Sequence, residues 1–155
     1  VIEELPPGAQ FRRLLVPMKL GSIGEEMVAT AVALAKERDA RVDALFVIVV
    51  PLEYAIDAPL SDLEEQAAAS LAEAVLLGEE NDVHVEPIAV RARAIGQAIV
   101  EQARERESDL IVLGSSPRWR RQSAFFSPTV DYVLRSVPCE VLVVAFPQGV
   151  LEDVS

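Results

Sequence analysis

The segment that decides the fold is Arg41-Val-Asp-Ala-Leu-Phe-Val-Ile-Val-Val50. It contains an unbroken run of large apolar side chains from Leu45 to Val50. A strand with one face in water alternates apolar and polar residues, whereas a strand covered on both faces is apolar throughout. The segment therefore predicts a β-strand buried between two layers of other structure.

Strand and helix patterns alternate on both sides of this strand. The strand patterns are residues 11–18, 83–90, 109–113 and 140–146. The helical patterns begin at Ser22, Ser61, Ala94 and Pro128. Ser22 and Ser61 each precede a glutamate by three residues, which is the spacing of a capping box. The order predicts an α/β fold, an open and mainly parallel five-stranded sheet with helices on both faces.

The length of 155 residues fits one domain with a substantial core. We expect a flexible arm over residues 1–10, a domain over 11–147 and a polar tail over 148–155. The longest apolar run is too short to cross a membrane, so we expect no direct membrane insertion. A lone cysteine and the lack of a signal peptide suggest a cytoplasmic protein, and the non-Met start suggests a piece of a longer one.

The charge is strongly negative and unevenly distributed. The net charge is -11, which argues against nucleic acid and anionic membranes as nonspecific partners. Residues 42–90 contain eleven acids and no Lys or Arg, whereas residues 110–130 contain no acid but include Arg118, Arg120 and Arg121. The arginine loop is either a solvated surface loop or a local anion site.

The residue inventory excludes several enzyme classes. The chain has one histidine, His84, without a cysteine nearby, so neither a histidine-based metal site nor a Ser-His-Asp triad is expected. Cys139 precedes a buried strand and is interpreted as a small core residue rather than a nucleophile. The P-loop and the GxGxxG dinucleotide motif are both missing from the sequence.

Two loops are the candidates for ligand binding. In a doubly wound sheet, ligands bind at the carboxyl ends of the strands where the winding direction reverses. This geometry selects residues 17–22 and residues 114–129. Gly114 permits a close approach of a ligand to the backbone, and Ser127 precedes a helix whose free N–H groups attract anions. Arg118 can add charge-assisted contacts.

Four blocks of residues resemble the universal stress protein domain, and the resemblance spans residues 11–146. The blocks are Leu14-Leu-Val-Pro17, Ala44-Leu-Phe-Val-Ile48, Ser108-Asp-Leu-Ile-Val-Leu-Gly-Ser115 and Val133-Leu-Arg-Ser-Val-Pro-Cys-Glu-Val-Leu-Val-Val144. The resemblance implies a Rossmann-like sheet with strand order 3-2-1-4-5. It also implies ATP or another adenine nucleotide as the cofactor.

The sequence departs from the pattern of the ATP-binding members. That pattern is G-x-x-G, nine residues, then G-[S/T] after the fourth strand, together with an Asp after the first strand. Gly114 matches the first Gly, but Pro117 replaces the second, and Ser127-Pro128 replaces the G-[S/T] pair. Lys19 stands where the Asp is expected. The spacing is retained while the chemistry has changed, so the phosphate loop is degenerate.

The resemblance and the loop geometry together give a set of candidate binding residues. Val47 would line the adenine through its backbone, while Pro17, Met18 and Lys19 would border the base and ribose. The ribose-phosphate and outer phosphates would meet Gly114, Ser115, Arg118, Ser127 and Thr129.

Three functional classes remain open. The first is a non-catalytic regulatory domain that binds an adenine nucleotide. The second is a nucleotide-free interaction module, a homodimer paired through the last strand, Val141-Phe146, that regulates a partner such as a membrane transporter in the same polypeptide. The third is an enzyme, which we do not expect because the two loops offer no general base.

Overall fold

The computed structural model describes residues 11–18, 22–115 and 128–145. The predicted arm and tail, residues 1–10 and 148–155, lie outside the described residues. The strands are β1 (Arg13–Met18), β2 (Arg41–Val49), β3 (Val85–Ala92), β4 (Leu110–Ser115) and β5 (Glu140–Ala145). The helices are α1 (Ser22–Arg38), α2 (Ser61–Glu80), α3 (Ile95–Glu105) and α4 (Pro128–Ser136). Within these ranges, every helix is too short or too polar to cross a bilayer.

The strands form one five-stranded sheet in the order β3-β2-β1-β4-β5, with parallel pairing between neighbours. This confirms both the predicted sheet and its strand order. β1 lies at the centre, between β2 and β4. At the carboxyl edge, Met18 of β1 lies opposite Phe46 of β2, and Gly114 of β4 lies opposite Val144 of β5.

Alternate strand residues face two separate apolar cores. Leu14 and Val42 belong to the core that α1 and α2 cover, while Leu15 and Leu45 belong to the core that α3 and α4 cover. β2 is fully buried from Val42 to Phe46, as the apolar segment predicted. Helices therefore pack on both faces of the sheet, and the strand ends are left for the loops.

The buried strand β2 carries one charge that the apolar pattern did not predict. Asp43 is 0% exposed. Its Oδ1 lies 3.1 Å from Nη2 of Arg41 and 3.8 Å from Nη1 of Arg106. Burying an unpaired carboxylate costs several kcal/mol. This cost is a large share of the free energy of unfolding of a typical domain. The two guanidinium groups therefore make this burial possible.

The predicted capping box at the start of α2 is wrong. The N-cap residue is Leu60, which makes no side-chain capping bond, and Ser61 is the first helical residue. The Glu64 carboxylate instead forms an ion pair with Arg91 of β3. A guanidinium partner binds a carboxylate more strongly than a backbone N–H does, so the tertiary contact prevails over the local one.

The predicted boundary between α2 and β3 also moves by two residues. α2 extends past Gly78 to Glu80, and β3 begins at Val85. The Val83 N–H donates to the Gly78 carbonyl (2.8 Å), and Asp82 has a positive φ of 57°. Residue 83 therefore closes the end of the helix rather than starting the strand.

The contact between α2 and β3 yields a stability prediction. A Cβ at Gly78 would overlap Cγ2 of Val85 and lie 2.6 Å from the Val83 carbonyl oxygen. In an open helix, alanine is more stable than glycine by about 1 kcal/mol, but overpacking costs about 1–3 kcal/mol. Because one of the two close atoms is backbone, we expect the overpacking cost to exceed the helix gain, so Gly78→Ala should lower the free energy of unfolding by about 1–2 kcal/mol in urea titrations.

The matched control is Ala72→Gln, on the exposed face of the same helix. We expect it to change the free energy of unfolding by less than about 0.5 kcal/mol. A Gly78→Ala protein as stable as the parent would contradict the tight packing of α2 against β3.

Candidate functional site

The direction of the chain winding reverses between β1 and β4, and this point is visible at the carboxyl edge of the sheet. The two strands are paired through Leu14 with Leu110 and through Leu15 with Ile111. After β1 the chain enters α1, which covers one face, and after β4 it enters α4, which covers the other. β1 and β4 are neighbours in the sheet while α1 and α4 cover opposite faces, which is the arrangement in which α/β domains form a ligand crevice at the strand ends. This is the position that the sequence analysis selected.

The structure brings several predicted site residues to this edge. Met18, 9% exposed, ends β1, and Pro17 beside it is half-buried. Val47 is half-buried and follows Phe46, the residue opposite Met18. Gly114 is half-buried near the end of β4. All four residues therefore lie at the carboxyl edge, with the side chains of Met18 and Val47 packed on opposite faces of the sheet.

The remaining predicted residues are described less completely. Thr129 is half-buried in the first turn of α4, and Ser115 is the last residue of β4. Lys19, Arg118 and Ser127 lie outside the described residues. The described part of the site therefore supplies backbone and apolar surface, together with one hydroxyl group.

The amino end of α4 has a mixed electrostatic character. Its first residue is Pro128, whose missing N–H is unneeded at this position. Asp131 in the first turn lies 3.6 Å from Arg135, one turn later. A carboxylate in the first turn already interacts favourably with the positive end of the helix dipole. An anion bound there would therefore need further positive charge.

A small cavity beside Met18 contains two carboxylates that the sequence did not identify. It has a volume of about 80 Å³ and is lined by Met18, Val28, Ala74 and Leu77, with Glu25, Ser70 and Glu73. Glu25 belongs to α1 and Glu73 to α2, so only the tertiary packing of these helices brings them together. The cavity is smaller than the roughly 300 Å³ at which ligand pockets begin, so it cannot hold a nucleotide by itself.

Two arginines at the carboxyl end of β3 and just beyond it were also missed. Nη1 of Arg91 donates to the carbonyls of Ile56 (3.3 Å) and Ala58 (2.7 Å). Nη1 of Arg93 donates to the carbonyls of Val50 (3.1 Å) and Pro51 (2.5 Å). Both side chains fix the loop between β2 and α2. One signal could have found them, since they are the first basic residues after the basic-free stretch 42–90.

His84 and Cys139, which could act as a base or a nucleophile, both lie at the amino ends of strands and away from the carboxyl edge. His84 precedes β3 with 66% of its side chain exposed, and its Nε2 is 3.3 Å from the Glu86 carboxylate. Cys139 precedes β5, is half-buried and packs against the core under α3 and α4. Among the described residues, no three His, Cys, Asp or Glu side chains are grouped so that they could hold a metal ion.

The fold and the crevice define a class of protein. A parallel sheet whose winding reverses between β1 and β4 is a doubly wound α/β domain, which places ligands at that reversal. The chain belongs to the universal stress protein family, whose family model matches residues 10–145. A universal stress protein of Methanocaldococcus jannaschii is 25% identical over 144 residues, covering 89% of this chain and 84% of that protein.

Solved structures share the fold. A universal stress protein of Archaeoglobus fulgidus in complex with dAMP has a TM-score of 0.66 at 17% identity, covering 86% of this chain and 98% of that one. A universal stress protein in complex with cAMP has a TM-score of 0.68 at 20% identity, covering 89% of this chain and 99% of that one. At these identities, the comparison establishes the common architecture.

The environment of Cys139 predicts that its thiol reacts slowly with disulfide reagents. Burial raises the pKa of the Cys139 thiol, and the nearby Asp109 and Glu140 carboxylates raise it further, against a backbone hydrogen bond that lowers it. Since the thiolate is the reactive form, we expect native Cys139 to react with a disulfide reagent at pH 7 more slowly than in the urea-unfolded chain. The rate should rise with pH, with its midpoint above that of the unfolded chain. A native rate equal to the unfolded one at pH 7 would contradict this environment.

Proposed function

We propose that this domain binds an adenine nucleotide, ATP or a related compound, in the crevice between β1 and β4. The observation that carries the proposal is the reversal of the chain winding at this point, with Gly114 at the end of β4. The proposed role is regulatory: bound nucleotide changes what the domain presents to a partner, without chemical turnover.

The adenine side of the proposed site is the better supported one. Met18 ends β1 and Val47 lies near the end of the neighbouring β2, so Met18 would border the base and the Val47 backbone would line the adenine. Universal stress proteins of the same fold have been solved with cAMP and dAMP, both of which contain adenine. A base held against apolar side chains and polar backbone groups is a common arrangement for small ligands.

The phosphate side differs from the family pattern, and the difference shapes the proposal. Pro117 and Pro128 remove two backbone N–H donors from the loop. In place of these N–H groups, Lys19 and Arg118 would supply positive charge to the phosphates. The hydroxyl groups of Ser127 and Thr129 would be additional donors. Gly114 and Ser115 would lie beside the ribose-phosphate, and Pro17 would border the base.

The proposed site lacks the groups needed for hydrolysis. Residues 17–22 and 114–129 contain no Asp, Glu or His. Glu25 lines the small cavity next to Met18 together with Glu73, on the side of the sheet covered by α1 and α2. With no general base in either loop, we expect binding without turnover. A cytoplasmic location belongs to the same proposal, since ATP is abundant there.

The nucleotide proposal is tested by calorimetry with ATP, AMP and GTP on the wild-type chain and on Lys19→Glu. We expect ATP to bind more tightly than GTP, and Lys19→Glu to weaken ATP about tenfold or more, the scale of a charge-assisted hydrogen bond. AMP, with fewer phosphates, should be less sensitive to the substitution.

The matched control is Lys36→Glu, an exposed lysine near the far end of α1 that makes the same change in net charge. It should leave ATP affinity within about twofold, because exposed charges more than a Debye length apart are largely screened. Heats of binding indistinguishable from dilution for all three nucleotides would overturn the proposal.

A second candidate function is a dimerising module, which is favoured by β5, an outer strand of the sheet. β5 is an edge strand, and Leu142 within it is 37% exposed. Unpaired edge strands with apolar side chains recruit partner strands. We propose that Val141-Phe146 pairs with the same strand of a second copy; the described part of this segment ends at Ala145.

The dimer is tested by sedimentation velocity over a concentration series. A lysine at position 142 would place a charge in the apolar centre of the interface, so Leu142→Lys should raise the dimer dissociation constant at least about tenfold. Leu76→Lys, on the exposed side of α2 (54% exposed), is the control and should leave dimerisation unchanged. A wild-type chain that sediments as a monomer at micromolar concentration would exclude this module.

A membrane transporter in the same polypeptide remains a proposal for the partner of either function. Its direct test is the complete reading frame, in which apolar segments long enough to span a bilayer would have to precede or follow residues 1–155.

A further inference from the structure

Exposed apolar side chains are concentrated at one place on the described surface. Among the described residues, eight large apolar side chains are exposed, and four of them lie between residues 49 and 56. They are Val49 (37%), Leu52 (86%), Tyr54 (54%) and Ile56 (44%). Scattered apolar residues on a surface are ordinary, but such a local concentration marks an interaction site.

Val49 is the last residue of β2, and the other three side chains lie in residues 50–60, which connect β2 to α2 and are held by hydrogen bonds. The Tyr54 N–H donates to the Pro51 carbonyl (3.1 Å), and the Ala58 N–H donates to the Ala55 carbonyl (2.9 Å), which makes two turns. Arg91 and Arg93 fix the carbonyls at both ends. Because these bonds already order the loop, binding a partner would cost less conformational entropy of the loop.

The apolar side chains alternate with unpaired negative charge. Glu53 and Asp57 are exposed, and neither forms an ion pair among the described residues. Asp62 and Glu65, at the start of α2, are also exposed. The charge of Arg91 is compensated by Glu64, and the one positive charge of Arg93 is outnumbered by these four carboxylates.

A groove of about 490 Å³ lies next to the loop. Its lining residues are Ile48, Glu64, Ala67, Ala68, Leu71, Pro87, Ala89, Val90 and Arg91. The loop and the groove are joined by Arg91, which lines the groove and donates to the carbonyls of Ile56 and Ala58. The small side chains of α2 leave room for an apolar side chain that a partner would insert.

We propose that residues 49–57 and the adjoining groove form a docking surface for a basic amphipathic segment of a partner protein. Leucine-like side chains of that segment would pack on Leu52, Tyr54 and Ile56, while its lysines or arginines would face Glu53 and Asp57. Charge complementarity selects a protein segment over an anionic lipid surface, which the same carboxylates repel. The inference does not depend on nucleotide binding.

The test uses a labelled synthetic peptide of about 18 residues, long enough for several helical turns, with leucines and lysines at amphipathic helical spacing. Its binding to the full chain is followed by fluorescence anisotropy. A second peptide has every lysine replaced by glutamate. We expect the lysine peptide to bind at least about tenfold more tightly than the glutamate peptide, and its binding to weaken as salt is added.

The location is tested with the double variant Leu52→Ser/Tyr54→Ser, which should weaken the lysine peptide about tenfold or more, as loss of interface anchors does. Both residues are exposed, so the fold should be unaffected. The matched control is Leu76→Ser/Leu134→Ser, which removes two apolar side chains of 54% and 40% exposure elsewhere. It should bind the peptide as the wild-type chain does.

Three results would overturn the proposal: no binding of the lysine peptide, equal loss of binding in both double variants, or binding to phosphatidylglycerol vesicles in preference to the peptide. None of these results bears on ATP calorimetry, so the docking surface and the nucleotide site fail or stand separately.

Discussion

The parallel pairing of β1 with β4 is the constraint on which the rest of this structure depends. β1 is the first strand of the chain and lies at the centre of the sheet, so β2 and β3 are added on one side and β4 and β5 on the other. Right-handed crossovers then send α1 and α2 to one face and α3 and α4 to the other. The crevice at the carboxyl edge follows from this reversal rather than from any single side chain.

The amino and carboxyl ends of the strands have different roles in this sheet. At the amino edge, the Asp109 carboxylate accepts hydrogen bonds from the backbone N–H groups of Arg12 (2.9 Å) and Arg13 (3.0 Å). Nearby, Nη1 of Arg13 donates to the Arg106 carbonyl (3.1 Å), and Arg106 itself faces Asp43. This network ties β1, β2 and β4 together. The loops at the carboxyl edge take no part in this network, so their sequence can change without breaking it. Binding surfaces are usually found on such loops.

The sequence predicts the scaffold well because its signals are local. The apolar run in β2 and the Ser127-Pro128 pair at the start of α4 depend only on neighbouring residues, and the structure bears out the elements that they predict. The strand order came from the family resemblance, which is specific through the blocks Ser108–Ser115 and Val133–Val144 taken together. Two details were wrong: Glu64 pairs with Arg91 instead of capping α2, and α2 extends past Gly78 to Glu80.

The site was only partly predictable for the same reason. Met18 and Gly114 lie near strand ends, where the strand patterns placed them, and their role in binding stays a prediction. Arg91 and Arg93 were missed, since their acceptors are backbone carbonyls 33 to 43 residues away in the chain. A backbone acceptor carries no side-chain signature, and only the folded register of β3 against β2 brings the two arginines to the loop.

The measurement that tests the central claim most directly is an NMR titration of the isotope-labelled chain with ATP. Amide shifts report which edge of the sheet the nucleotide contacts. The account predicts that shifts at Met18, Val47 and Gly114 change with ATP concentration, while His84 at the amino edge stays unchanged. Shifts confined to the amino edge, or an unchanged spectrum at millimolar ATP, would contradict a nucleotide site between β1 and β4.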